Sequence, residues 1–219
     1  MGEKITKEQL PEETKDSMGN PVGYSHKRPH VPDGKGEPFP SFKDDKNRLK
    51  NNITERRKKK IKTNKMDDIK KLLLDLHNKT PSLRNSATRA LWDHWYVEAG
   101  EIAETYIHKG ERLMGLEKFE EAQVHFEKVI KDYPGFAEAH NKLATVFFLL
   151  GDYEKSVFEC KVALKINPNH FGAWHGMGLC FYKLARYSEA IESFKSALDI
   201  QPYAKINQTY IATCLGNLN

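Results

Sequence analysis

The chain has little cysteine and no cysteine pair. Its 3 cysteines, Cys160, Cys180 and Cys214, make no CxxC. An odd number of thiols within helical patterns argues against a disulfide scaffold and for buried free thiols in a reducing compartment. Long apolar runs are absent: none approaches the ~20 residues that a membrane-spanning helix needs. The opening stretch MGEKITKEQLPEETKDS is mixed in charge, has no apolar centre and is acidic for a transit peptide. These absences point to an intracellular protein, with the cytoplasm favoured over the nucleus or an organelle. Chemical motifs are missing as well. There is no HExxH, no GxSxG and no calcium loop, and Gly176-Met177-Gly178 lies inside a helical pattern without the strand context of a phosphate loop. The histidines at 108, 125, 140, 170 and 175 are scattered rather than set at metal-ligand spacing. The expectation is therefore no catalytic residue, no metal, no cofactor and no enzyme.

Charge, by contrast, is plentiful and unevenly placed. Met1–Lys65 holds 17 of the 35 Lys and Arg but 10 of the 30 Asp and Glu, so this stretch is basic and the rest is slightly acidic. Residues 1 to 40 carry Pro21, Pro29, Pro32, Pro38 and Pro40 among glycines and charges, with no apolar period. Such a composition cannot bury enough surface to offset ordering entropy, so residues 1–65 are expected to be a disordered, basic arm. Its densest patch is Arg56, Arg57, Lys58, Lys59, Lys60 and Lys62. That patch can serve as a linker, a localisation signal or a polyanion contact. No aromatic side chain is interleaved for base stacking, so nucleic acid is not the favoured partner.

What organises the remainder is repetition. Pro134, Pro168 and Pro202 recur at a period of roughly 34 residues, and three units align on them: 103–136, 137–170 and 171–204. Position 8 is small each time: Gly110, Ala144, Gly178. Position 11 is large: Leu113, Phe147, Phe181. Position 17 is aromatic: Phe119, Tyr153, Tyr187. Position 20 is small again: Ala122, Ser156, Ala190. Position 24 reads Phe126, Cys160, Phe194. Large and small side chains alternating in register are what two interdigitating helices require. Each proline ends the second helix of its unit, because it cannot continue the hydrogen-bond ladder. A lone hairpin cannot bury its apolar face, so the units are expected to stack into an α-solenoid.

These columns resemble the tetratricopeptide repeat. The strings AEAHNKLATVFFLLGDYEKS and HFGAWHGMGL, preceded by ALWDHWYVEAG, further resemble little-characterised repeat proteins of α-proteobacteria and plant plastids. Those tend to carry Asn-Lys-Arg-Ala-Thr, where this chain has Leu143 at the arginine position. The resemblance implies an all-α fold and a non-catalytic adaptor or assembly factor whose concave groove binds an extended or helical segment of another protein. Carried over by register, the groove-facing residues are Ile107, Glu111 and Met114, then Asn141, Lys142, Thr145 and Phe148, then His175, Leu179 and Tyr182. Some relatives grip a chaperone's acidic C-terminal tail with a Lys-and-Asn clamp. Here Ile107 and Glu111 stand at the first clamp pair, and Gly172 and Gly176 at the later basic pair. This argues against a chaperone tail as the ligand. The alternative function is a nucleic-acid- or polyanion-associated factor acting through residues 43–65.

Two flanking elements complete the reading. Residues 66–100 form a helical pair. Met66, Ile69, Leu72, Leu73 and Leu76 share one face of its first helix, and Leu83, Ala87, Leu91, Trp92, Trp95 and Ala99 one face of its second. This pair is expected to stack on the first repeat. Residues 205–219 form a terminal helix that shields the solenoid end through Tyr210, Ile211 and Leu215.

Overall fold

A computed structural model describes residues 65–218, so the basic patch Arg56–Lys62 and the rest of the arm lie outside the described residues. Among these residues the chain forms helices and no strands. In order they are α1 (Lys65–Asp75), α2 (Pro81–Val97), α3 (Glu101–Gly115), α4 (Phe119–Asp132), α5 (Ala137–Leu149), α6 (Tyr153–Ile166), α7 (Phe171–Lys183), α8 (Tyr187–Ile200) and α9 (Lys205–Leu218). No helix in this region is long and apolar enough to cross a membrane. The repeats are the hairpins α3–α4, α5–α6 and α7–α8, and α9 closes the stack.

Column chemistry explains the hairpin packing. A Cβ added at Gly110 would lie 2.2 Å from Phe126 Cζ, and one at Gly178 would lie 2.6 Å from Phe194 Cε1. In the middle repeat Ala144 supplies that Cβ, and Cys160 stands where the phenylalanine would be. Positions 8 and 24 thus trade volume across one crossing. Cys160 and Cys180 are buried thiols; burial pushes Cys180 up to about 12 and Cys160 well above the ordinary value, so both stay protonated and serve as packing groups. The inner turns show one departure. Gly151 turns at φ 80°, whereas Glu117 (φ 58°) and Ala185 (φ 57°) adopt the same left-handed conformation without being glycine.

The helical pair lies elsewhere than the sequence reading places it. It does not extend the stack beyond the first repeat. Instead α2 runs as a strap along the ends of all three hairpins. Pro81 opens it at the first helical turn, where its missing N–H is no loss. Near its start the Arg84 guanidinium lies 3.9 Å over the Tyr203 ring, and Thr88 Oγ1 accepts from Gln201 Nε2 at 3.0 Å, both at the end of the third repeat. Midway, Trp95 stacks on His170 (4.4 Å between centroids) and Trp92 meets Phe171 edge-on. At its end Tyr96 enters the core of the first two repeats, and Glu98 Oε1 accepts from the Ala137 backbone N–H at 3.2 Å. Arg84 to Glu98 is about 21 Å of helix, which matches two interhelix spacings of ~10 Å. A hairpin stacked on repeat one would bury its stripe against one neighbour. The aromatic stripe is long enough to reach three.

The terminal helix also differs in detail. Tyr210 is buried and stacks on Phe194, and Cys214 is buried, but Leu215 is half exposed and faces outward.

Candidate functional site

The candidate site is the concave face built from α3, α5 and α7, the first helix of each repeat. Its two ends differ. Under the strap, from Glu111 late on α3 to Glu138 and His170 at the starts of α5 and α7, the face is a closed ionic network. Lys142, on α5, is 1 % exposed. Its Nζ lies 2.9 Å from Glu111 Oε1 on α3 and 3.3 Å from Glu138 Oε1, one turn back on its own helix. Tyr96 of the strap donates its hydroxyl hydrogen to Glu111 Oε1, and its ring lies 5.1 Å beneath the Lys142 ammonium. His170 caps α7: its Nδ1 accepts from the Ala173 N–H at 3.1 Å. The hydrogen therefore sits on Nε2, which donates to Glu138 Oε2 at 2.8 Å. His108 Nδ1 reaches Glu111 Oε2 at 3.1 Å from the rim.

The electrostatics follow from this pairing. Burial alone would raise the Glu111 carboxyl. The Lys142 charge, with hydrogen bonds from His108, Tyr96 and Lys142, overcomes it and holds the group at about 2. Burial alone would lower Lys142, yet Glu111, Tyr96 and Glu138 hold it well above an ordinary lysine. The hydrogen bond to Glu111 raises His108. Desolvation raises the Tyr96 phenol. Glu111 and Lys142 are thus held as a charged pair at neutral pH. A buried carboxylate pair sharing one ammonium has no open face to meet a substrate.

The groove residues expected from register divide four ways. Ile107, Met114 and Leu179 are buried in the repeat cores. Glu111, Asn141 and Lys142 are buried in the network just described or beside it, Asn141 Nδ2 reaching Glu138 Oε2 at 3.4 Å. His175 is buried under the cap, where its Nδ1–H donates to Asn207 Oδ1 at 2.5 Å. Thr145, Phe148 and Tyr182 stay half-buried at the other end, where the first helices finish. There Phe148 leans on Tyr153 (5.5 Å) and Tyr182 on Tyr187 (5.8 Å), the same pair in consecutive repeats. Lys142 differs most from its expected role as an open polar handle. Two carboxylates and a covering tyrosine consume it.

Register alone missed Glu138, His170, Tyr96, Trp92 and Gly172. For the last the sequence itself carried the signal. Gly172 stands where related clamps place a basic residue, and a Cβ there would lie 2.6 Å from Trp92 Cη2. The glycine at a clamp position and the tryptophan in the preceding helix are one feature.

Comparison with known proteins follows this geometry. A family model described as "Anaphase-promoting complex, cyclosome, subunit 3" matches residues 116–197. A TPR repeat-containing protein of Rhizobium etli is 32% identical over 78 residues, 36% of this chain and 38% of that protein. The anaphase-promoting complex subunit 3 of Schizosaccharomyces pombe is 34% identical over 65 residues, 30% of this chain and 9% of that one. The matches thus span well under half the length of these relatives. Among solved structures, the first TPR of Spaghetti (RPAP3) bound to the HSP90 peptide SRMEEVD superposes with TM-score 0.51 at 18% identity, covering 52% of this chain and 90% of that one. The Sgt2 TPR domain from Aspergillus fumigatus gives 0.50 at 16%, covering 52% and 78%. Three hairpins in register, their small-against-large crossings and these likenesses lead to one conclusion: the chain folds as a tetratricopeptide-repeat solenoid.

Proposed function

We propose that this chain is a non-catalytic protein-interaction adaptor whose concave face takes a segment of a partner protein. The observation that supports it is the open end of that face. Thr145, Phe148 and Tyr182 lie at ligand-facing positions of consecutive repeats and keep part of their surface in water. Partly exposed aromatic anchors beside a hydroxyl suit apolar side chains plus a few backbone hydrogen bonds. The division of labour on this reading is arm (1–65), strap pair (66–100), repeats (103–136, 137–170, 171–204) and cap (205–219).

Ile107, Glu111, Gly172 and Gly176 replace the clamp residues that grip a chaperone tail in some tetratricopeptide domains. The comparisons give the exclusion of such a tail no support, since one structural neighbour holds an HSP90 peptide. An acidic chaperone C-terminal peptide is therefore one arm of the test. The other is affinity capture with full-length chain and with the double variant Phe148→Ala, Tyr182→Ala. The double variant is expected to lose its captured partner while keeping its helical circular dichroism and cooperative melting. Undiminished capture would remove the groove from consideration. Polyanion binding by residues 43–65 remains a separate reading. It predicts an RNA affinity that falls steeply with salt and vanishes on deletion of Met1–Lys65.

A further inference from the structure

The strap is built as a separable layer. Ala87, Leu91 and Trp95 of α2 form a cluster with Leu76, just after α1, to which the repeats add Phe171 and the partly buried Ile200. The two larger clusters belong to the repeats and the cap, with Tyr96 as the strap's buried entry into one of them. The charged floor is likewise self-sufficient. Lys142–Glu111, Lys142–Glu138, His170–Glu138 and His108–Glu111 each join two residues of the repeats. Lifting the strap breaks the Tyr96 hydrogen bond, the Trp92 and Trp95 ring contacts, the Arg84–Tyr203 contact and the Thr88–Gln201 bond, and leaves these four pairs within the repeats. Two open surface recesses of ≈ 370 and ≈ 240 Å³ flank it, one beside Trp95 and Gly135, the other beside Arg84 and Tyr203. It joins the solenoid through Ala99 and Gly100, and Gly100 turns at φ 97°.

We propose that α2 is a displaceable occupant of the concave face, and that a partner protein binds by laying an amphipathic helix in its place. The seat specifies the helix. Gly172 leaves room for an indole against its bare Cα, His170 offers a ring to stack on, and Glu111 accepts from a hydroxyl. The strap meets these with Trp92, Trp95 and Tyr96, so the partner presents aromatic side chains at i, i+3 and i+4, the last a tyrosine. All three seat features belong to the repeats and persist when the strap leaves. The tethered strap competes at an effective concentration of ~1 mM, so only a helix of this pattern displaces it. This inference rests on the reading that the concave face binds partners.

Hydrogen exchange on the full-length chain tests it first. Amides of Ser82–Val97 are expected to exchange through an opening that leaves α3–α8 protected. Exchange of the strap at the same rate as the cores, by global unfolding alone, would overturn the proposal. The second test titrates a labelled peptide with the sequence of residues 81–98 into the full chain and into its Trp95→Ala variant. The variant, its strap loosened and its seat intact, is expected to bind about tenfold more tightly or better. Adding Gly172→Leu, which fills the seat, should abolish this gain. Equal affinity of the two chains would overturn the proposal. A strap that never opens, together with capture lost in the Phe148→Ala, Tyr182→Ala variant, refutes the strap and leaves the groove standing. The reverse pair of results refutes the groove alone.

Discussion

Gly110→Ala should destabilise the chain, and the same change should stabilise it once Phe126 is cysteine. The new Cβ lands 2.2, 2.5 and 2.8 Å from three atoms of the Phe126 ring, in a fully buried crossing. Ordinary contact needs ~3.5–4.0 Å, so the ring or helix α4 must move by more than an ångström. Overpacking of this kind costs ~1–3 kcal/mol. Removing a helix-interior glycine returns ~1 kcal/mol. With a clash this close the upper figure applies, and the net loss is about 2 kcal/mol. Phe126→Cys alone empties the crossing and costs ~3 kcal/mol. In that background the Cβ meets open space, only the propensity gain remains, and Gly110→Ala should add about 1 kcal/mol. The coupling of about 3 kcal/mol is read from four urea curves with a common slope. The middle repeat already carries this solution as Ala144 with Cys160. Equal effects of Gly110→Ala in both backgrounds would refute the idea that positions 8 and 24 exchange volume.

Acid should weaken the fold in two steps. Burial holds His175 at about 4, below its ordinary 6.5, so between those values the unfolded chain takes up a proton that the folded chain refuses; stability falls by ~3 kcal/mol as pH drops from 6.5 to 4. Glu111, held at about 2, adds a further loss as pH falls from 4.5 through 2. Denaturant midpoints measured from pH 7 to pH 3 check both, and a midpoint flat down to pH 4 would contradict the His175 assignment. His108 works with the opposite sign, its contribution present below 6.5 and lost as pH rises through its raised value. Tyr96→Phe should cost ~1–3 kcal/mol, because Glu111 loses a charge-assisted donor at a buried site; an unchanged melting temperature would mean that the strap end is not seated. Ala185→Gly should stabilise by ~1 kcal/mol by relieving a left-handed alanine at φ 57°, and a lower melting temperature would show that the Ala185 side chain contributes packing there.

Legibility in the sequence followed the range of the interactions. Hairpins, turns and crossings depend on residues within one repeat, and a period of 34 exposes them by superposition. The position of α2 depends on residues far apart in sequence. Thr88 meets Gln201, Arg84 meets Tyr203, Trp92 meets Gly172, and no periodicity relates these pairs. Register transferred from a family carries the same limit. It names positions on the first helices, but whether those positions are open depends on what the rest of the chain lays across them. Lys142 illustrates this: its position is ligand-facing in the repeat frame, and Tyr96, reached from 46 positions upstream, converts it into a buried ion pair.

The departures from the repeat pattern carried the missing information. Glu111 and Gly172 stand where a carboxylate clamp would need asparagine and a basic residue. Taken one at a time they subtract a ligand. Taken with Trp92, Trp95 and Tyr96 they describe a surface that already has an occupant: a carboxylate to accept from a tyrosine, and a glycine that admits an indole. The buried Glu111–Lys142–Glu138 row lies under Tyr96, whose hydroxyl donates to a carboxylate oxygen that burial removes from water. The strap supplies that cover. The half-buried aromatics Phe148 and Tyr182 lie beyond the network, where the first helices finish. On the reading proposed here, specificity is divided between a sealed end that only a matching aromatic helix can enter and an open end available to apolar side chains.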